Sequence, residues 1–217
     1  LMHSSLIKDW RNGWQHQIPI SASFTLFKYL NVTPSFNFTD RMYTNKVEKS
    51  WDEERQVEKS DTTYGFHNVY NWNMSIGLST KIYGFWVPNR KIFGDKIQAI
   101  RHVFTPTVNF SYAPDFGASR YGYWETYQKT DADGNVSLVS YSPYQNGLYG
   151  VPGKGKSGNI SFTLGNNIEM KVKSDKDSTG YKKLSIIDAF DINMSYNTAA
   201  KVRPWSDMNI NLRLKWW

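Results

Sequence analysis

Six basic residues lie at alternating positions near the ends of extended segments, and the chemistry they share is anion binding. They are Lys81, Arg101, Lys171, Lys173, Arg213 and Lys215. Guanidinium and ammonium groups bind phosphate through charge-assisted hydrogen bonds. Side chains of this kind facing a common interior would form a basic collar. Basic residues near turns are also typically just solvated, with Glu169 pairing one of them here, and the sequence leaves both interpretations open.

Residues suited to catalysis or metal binding are sparse. The chain has no cysteine and 4 histidines, so thiolate metal sites and disulfides are excluded, and no Ser–His pair shares a strand face. Asp131-Ala132-Asp133-Gly134 lacks the further ligands and the distal glutamate of a calcium loop, and indicates a turn. We therefore predict no enzymatic activity, no catalytic or metal-ligating residue and no cofactor.

The stretch from Tyr70 to Ile82 shows which element positions the basic residues. Its even positions are nearly all large and apolar, whereas its odd positions are Asn, Ser, Gly and Lys. A period of two predicts a β-strand with one apolar face and one polar face. Small uncharged polar residues suit the interior of a barrel, and the opposite face then contacts lipid.

The same alternation recurs along the chain and predicts about seven strands. Their approximate ranges are 17–26, 31–39, 70–82, 100–112, 160–172, 184–196 and 208–216. Bilayer-spanning strands need about 9–11 residues, whereas strands of soluble proteins usually have about five or six. We predict an all-β fold, an antiparallel transmembrane β-barrel segment forming a single domain over residues 1–217. Because usual bacterial barrels have an even number of strands and at least eight, we expect it to be part of a larger barrel.

The predicted connections alternate in length. The long ones are 44–62 and 113–156, and the short ones are 28–30, 83–97 and 174–183. Outer-membrane barrels have short periplasmic turns and longer external loops, so we expect the long connections outside the cell and the short ones in the periplasm.

Two prolines, Pro34 and Pro106, lie in the middle of predicted strands. Proline cannot donate a hydrogen bond to a neighbouring strand. A local bulge or break is therefore expected at each of them.

Several short stretches resemble one family. They are 7–13, 93–97, 100–103, 105–108, 110–117, 155–158 and 203–207, including Tyr112-Ala113-Pro114-Asp115-Phe116-Gly117 and Arg203-Pro204-Trp205. In this order they resemble the barrel domain of the lipopolysaccharide-assembly protein LptD, in its Bacteroidota-type branch. The resemblance spans nearly the whole chain.

The resemblance implies an outer-membrane barrel of a Gram-negative cell that places lipopolysaccharide in the outer leaflet. It further implies a lipoprotein plug similar to LptE, the rest of the barrel and a periplasmic bridge as partners. Under this implication the anion bound by the basic collar is a phosphate of lipopolysaccharide.

Two other functions remain open from the sequence. One is a segment of a different outer-membrane porin or transporter, and the other is a soluble, aromatic-rich β-sandwich that binds glycans. The second predicts solubility without detergent and charged outward faces, whereas few charges occur in mid-strand. The net charge of +7 comes without a basic helix or ribonucleoprotein motif, so we expect no nucleic-acid partner.

Overall fold

The computed structural model describes residues 13–175 and 178–215, and it confirms the all-β, antiparallel fold. Strands account for 66% of the described residues. The strands are β1 (Gly13–Ser21), β2 (Phe24–Leu26), β3 (Leu30–Asp52), β4 (Val57–Ser79), β5 (Ile82–Trp86), β6 (Ile97–Ala113), β7 (Glu125–Thr130), β8 (Val136–Tyr141), β9 (Ser157–Lys173), β10 (Tyr181–Asn197) and β11 (Asn209–Leu214). One short helix, α1 (Arg90–Phe93), and a three-residue 3-10 turn, Ser119–Tyr121, complete the described elements. No helix in the described ranges has the length and apolar character needed to cross a membrane.

One sheet contains most of the strands. Its hydrogen-bonded path runs β1-β3-β4-β6-β9-β10-β11, with β2 pairing to β3 and β5 pairing to β6. The path thus has seven positions, in agreement with the alternation of the sequence. Strands β7 and β8 form a separate hairpin.

The breaks expected at the two prolines fall in the neighbouring strands. β6 is continuous through Pro106, but the strand opposite it is interrupted between β4 and β5. Thr80 N donates to Pro106 O at 3.3 Å, and the reciprocal bond is missing because proline has no N–H. Pro34 likewise accepts from Ala22 N at 3.1 Å, in the gap between β1 and β2.

The charged stretch 44–62, predicted to be a loop, is mostly a hairpin. β3 and β4 continue through it and leave only a turn at 53–56. Lys49 Nζ lies 2.7 Å from Glu58 Oε1 across the hairpin, so charges that indicated a loop instead pair between strands. The longer stretch 113–156 is also folded, since it contains the 3-10 turn and the β7–β8 hairpin.

The chain divides into two compact units by its internal contacts. Among described residues, unit 1 comprises 13–20, 36–73 and 113–156, and unit 2 comprises the remainder. Unit 1 has an aromatic core of Tyr43, Val69, Phe116 and Tyr123.

Candidate functional site

One face of the strands in unit 2 carries small polar side chains that bond to one another across strands. The hydroxyl oxygens of Ser35 and Ser75 lie 2.7 Å apart. Thr163 Oγ1 donates to Asn193 Oδ1 at 2.8 Å. These bonds hold the polar face in a defined arrangement while using few charged residues.

Close packing on this face explains the glycine at position 77. A Cβ atom added to Gly77 would lie 2.5 Å from Thr33 Oγ1 and 2.9 Å from Asn109 Oδ1. Both distances are too short for a carbon contact. The two polar side chains therefore meet over the glycine, and only a residue without a side chain fits between them.

The opposite face of the same strands is apolar and exposed. Leu78 is 36% exposed and Leu212 59% exposed. Other exposed apolar residues of unit 2 include Ile76, Ile82, Leu164, Ile210 and Leu214. Exposed apolar surface of this extent marks contact with a membrane or with another protein.

Three of the six basic residues predicted to form the collar are paired with carboxylates. Arg101 Nη2 lies 2.5 Å from Glu169 Oε2. Lys173 Nζ lies 3.2 Å from Asp95 Oδ2. Arg213 Nε lies 2.6 Å from Asp188 Oδ2. Their charges are thus largely compensated where they stand.

The other three predicted residues, Lys81, Lys171 and Lys215, are exposed. Lys171 Nζ lies 4.1 Å from the centre of the Tyr181 ring, a favourable cation–π distance. Lys81 lies between β4 and β5, and Lys215 follows β11. The structure groups Lys171 and Lys173 on β9 near Arg101, and a continuous collar of all six stays a prediction.

Sequence reasoning missed Lys183, which directly opposes Lys171 in the pairing of β9 with β10. The sequence predicts a turn over 174–183, whereas β10 begins at Tyr181. Extending the predicted strand by one residue before Leu184 places Lys183 on the polar face, because the alternation of apolar and polar residues continues there. Sequence reasoning also missed the carboxylate partners, because each lies far along the chain from its base. Asp95 is 78 positions from Lys173, and Asp188 is about 25 positions from Arg213.

Two of the cavities along the strands of unit 2 have polar or charged linings. The larger has a volume of about 360 Å³ and is lined mainly by Thr, Asn and Asp side chains, including Thr105, Thr163 and Asp191. The smaller, of about 200 Å³, is lined by Phe85, Ala99, Arg101, Glu169, Met170, Lys171 and Lys183. The first is polar and includes the carboxylates Asp188 and Asp191, and the second is cationic.

In unit 1 the family-like stretch Pro114-Asp115-Phe116-Gly117 closes the base of the long connection. Asp115 Oδ1 accepts hydrogen bonds from Gly117 N at 2.8 Å and from Gly155 N at 2.7 Å. Phe116 enters the aromatic core and is 4% exposed. Through Asp115, these residues hold the two ends of the long connection 113–156 together.

The folded loop is bonded to the β3–β4 hairpin through tyrosines. Tyr70 N donates to the hydroxyl oxygen of Tyr123 at 2.8 Å, and Tyr43 Oη donates to Gly150 O at 2.5 Å. Burial raises the pKa of Tyr123 to about 12, so its hydroxyl stays protonated at any physiological pH. At the tip of the hairpin, hydrogen bonds from Lys49 and Tyr127 lower the pKa of Glu58.

Residues 13–175 and 178–215 contain no group of three or more His, Cys, Asp or Glu side chains that could hold a metal ion. The polar face and the cationic cavity carry side chains that can bind a polar or anionic ligand.

The whole chain matches one protein family. The family is described as LptD protein, and the match covers residues 2–216. The chain belongs to the LptD family. Members of this family act in lipopolysaccharide transport and are outer-membrane proteins, which agrees with strands that expose one apolar face. No curated protein and no solved structure shows a significant match to the chain.

Proposed function

We propose that this chain is a membrane-spanning part of an outer-membrane LptD barrel that translocates lipopolysaccharide and assembles it into the outer leaflet. The family match over residues 2–216 supports the pathway. The observation that carries the proposal is the two-faced sheet of unit 2, in which exposed leucines and isoleucines alternate with hydrogen-bonded Ser, Thr and Asn. Such strands suit lipid on one side and a hydrated passage on the other.

The polar face would line the passage. Its hydroxyl and amide groups offer donors and acceptors to sugar hydroxyls, and their low charge avoids trapping a phosphorylated ligand along the route. Basic residues nearer the short connections would meet the phosphates first. In this proposal the chain acts by binding and guiding its ligand, and no residue performs covalent chemistry.

The partners follow from the same proposal. A lipoprotein plug similar to LptE would occupy the passage, the rest of the barrel would close the sheet, and a periplasmic bridge would deliver the lipid. The short connections between β2 and β3, between β5 and β6 and between β9 and β10 would face that bridge.

Depletion of the protein in the cell that makes it tests the proposal. Lipopolysaccharide reaching the cell surface is measured by its access to an external lipid-modifying enzyme. We expect surface lipopolysaccharide to fall while lipid that has not reached the surface accumulates on the inner side of the outer membrane. Unchanged export together with an ion conductance from the purified protein would favour a porin instead, and detergent-free solubility would favour a glycan-binding sandwich.

The role of the basic collar needs its own variant. Neutralising Lys81, Arg101 and Arg213 together should reduce lipopolysaccharide export if the collar guides phosphates. Export at the native rate would leave these residues as ordinary solvated or paired side chains.

A further inference from the structure

The cationic cavity of unit 2 combines excess positive charge with an aromatic wall. Its ionic lining consists of Arg101, Glu169, Lys171 and Lys183. Glu169 is the single carboxylate among them and already accepts from Arg101 at 2.5 Å. No ion pair links Lys171 or Lys183 to a carboxylate within residues 13–175 and 178–215. The cavity thus carries two cations more than the pair can neutralise.

The two lysines stand in an arrangement that a sheet ordinarily avoids. Lys171 and Lys183 are direct partners across β9 and β10, which places their Cβ atoms about 4.5–5.5 Å apart. Like charges directly opposite each other destabilise a sheet. An anion between the two ammonium groups would remove this repulsion.

Neighbouring groups hold the cations on one face. Glu169 and Lys171 are two residues apart on β9 and therefore share a face, and Arg101 joins them through its ion pair with Glu169. The ring of Tyr181 lies under Lys171 Nζ at 4.1 Å. Lys171 is thus positioned by a contact that leaves its charge intact.

Phe85 supplies the apolar wall. It pairs directly with Arg101 across β5 and β6, so both side chains point to the same face. Phe85 is nevertheless 73% exposed. A large aromatic side chain beside a cationic cluster suits a ligand that is both anionic and apolar.

We propose that this cavity, bounded by Phe85, Arg101, Lys171 and Lys183, binds a phosphate group, with Lys171 and Lys183 as its two direct ligands. The proposal rests on the proposed function as far as the phosphate belongs to a lipid head group. Free inorganic phosphate has the same chemistry and is the other source. Phe85 distinguishes the two, because only a lipid has apolar parts to contact it.

The test uses the full-length protein purified from outer membranes and a variant with both Lys171→Gln and Lys183→Gln. Lys182→Gln is the matched control, since Lys182 opposes Val172 in the same strand pair and lies on the other face. The probes are micelles of a bisphosphorylated lipid A, the same lipid without its phosphates, and inorganic phosphate. Loss of charge-assisted hydrogen bonds should weaken binding of the phosphorylated lipid by about tenfold or more, and Lys182→Gln should bind as the native protein does.

Restoring charge separates binding from folding. The variant Lys171→Arg/Lys183→Arg should regain most of the affinity, and binding should weaken as ionic strength rises. Phe85→Ala should weaken binding of the lipid but leave binding of inorganic phosphate unchanged if the ligand is a lipid head group. Equal effects of the double glutamine variant on both phosphate probes, with none of Phe85→Ala, would assign the cavity to free phosphate.

Native affinity of the double glutamine variant for both phosphate probes would overturn the proposal. If depletion still abolishes export in that case, the proposed function stands and only the cavity assignment fails. If phosphate binding depends on the two lysines but depletion leaves export unchanged, the cavity assignment stands and the proposed function fails.

Discussion

The buried hydroxyl of Tyr123 links two parts of unit 1. The hydroxyl of Tyr123 accepts from Tyr70 N in an aromatic core where Tyr123 is 3% exposed. Burial also accounts for its pKa of about 12. The residue is thus a neutral, structural link between the long loop and β4.

Tyr123→Phe should loosen this loop. The change leaves Tyr70 N without its partner, and an unsatisfied buried donor costs about 1–3 kcal/mol. We expect faster hydrogen exchange and proteolysis in 113–156. Tyr64→Phe is the control, because Tyr64 is 56% exposed and its loss should leave exchange and proteolysis unchanged. Equal protection of 113–156 in both variants would refute the role of the Tyr70–Tyr123 hydrogen bond.

Glu58 gives the tip of the β3–β4 hairpin a pH dependence. Its pKa in the folded protein is lowered from 4.5 by hydrogen bonds from Lys49 and then Tyr127. The stabilisation is therefore fully present above pH 4.5 and is lost as pH falls through the lower folded value. We expect limited proteolysis of 49–58 to accelerate in that acidic range, and Glu58→Gln should be cleaved at the same rate above and below it. Native protein that shows no acceleration would contradict this assignment.

At the scale of elements, the strands were predictable because alternation is a local property. Residue types alone predict a strand over 70–82, and in the structure β4 and the start of β5 lie there with a short break between them. The positions at which strands begin and end depend instead on residues of the neighbouring strand. Pro106 interrupts the strand opposite it, and the charged stretch 44–62 forms a hairpin because Lys49 finds Glu58.

Gly77 is the position where β4 is least tolerant of a side chain. Gly77→Val should force Thr33 and Asn109 apart and destabilise the sheet by about 1–3 kcal/mol. The measurement is the fraction of protein that stays folded during electrophoresis without heating. Gly84→Ala is the control, since its added Cβ would meet His102 Cβ at 3.7 Å, an ordinary contact; equal folded fractions would show that the polar face has room at position 77.

At the scale of the whole molecule, the sequence pattern predicted the all-β fold and the family, but not how the long loop folds. The bonds that shape this loop join distant residues, such as Asp115 with Gly155 and Tyr43 with Gly150. The candidate site shows the same limit. Arg101 and Lys171 were found from their register, whereas Lys183 and the carboxylate partners depended on which strands lie side by side.

The central claim is that the strands of unit 2 separate lipid from a hydrated passage, and because these 217 residues contain no cysteine, cysteines introduced into them can be labelled to test it. Single cysteines would replace Ser75, Ile76, Leu78 and Ser79 in turn in the full protein. They are then exposed in native outer membranes to a small, charged thiol reagent. We predict labelling at positions 75 and 79 and protection at 76 and 78, where the side chain faces lipid. Equal labelling at all four positions would contradict a membrane-spanning strand.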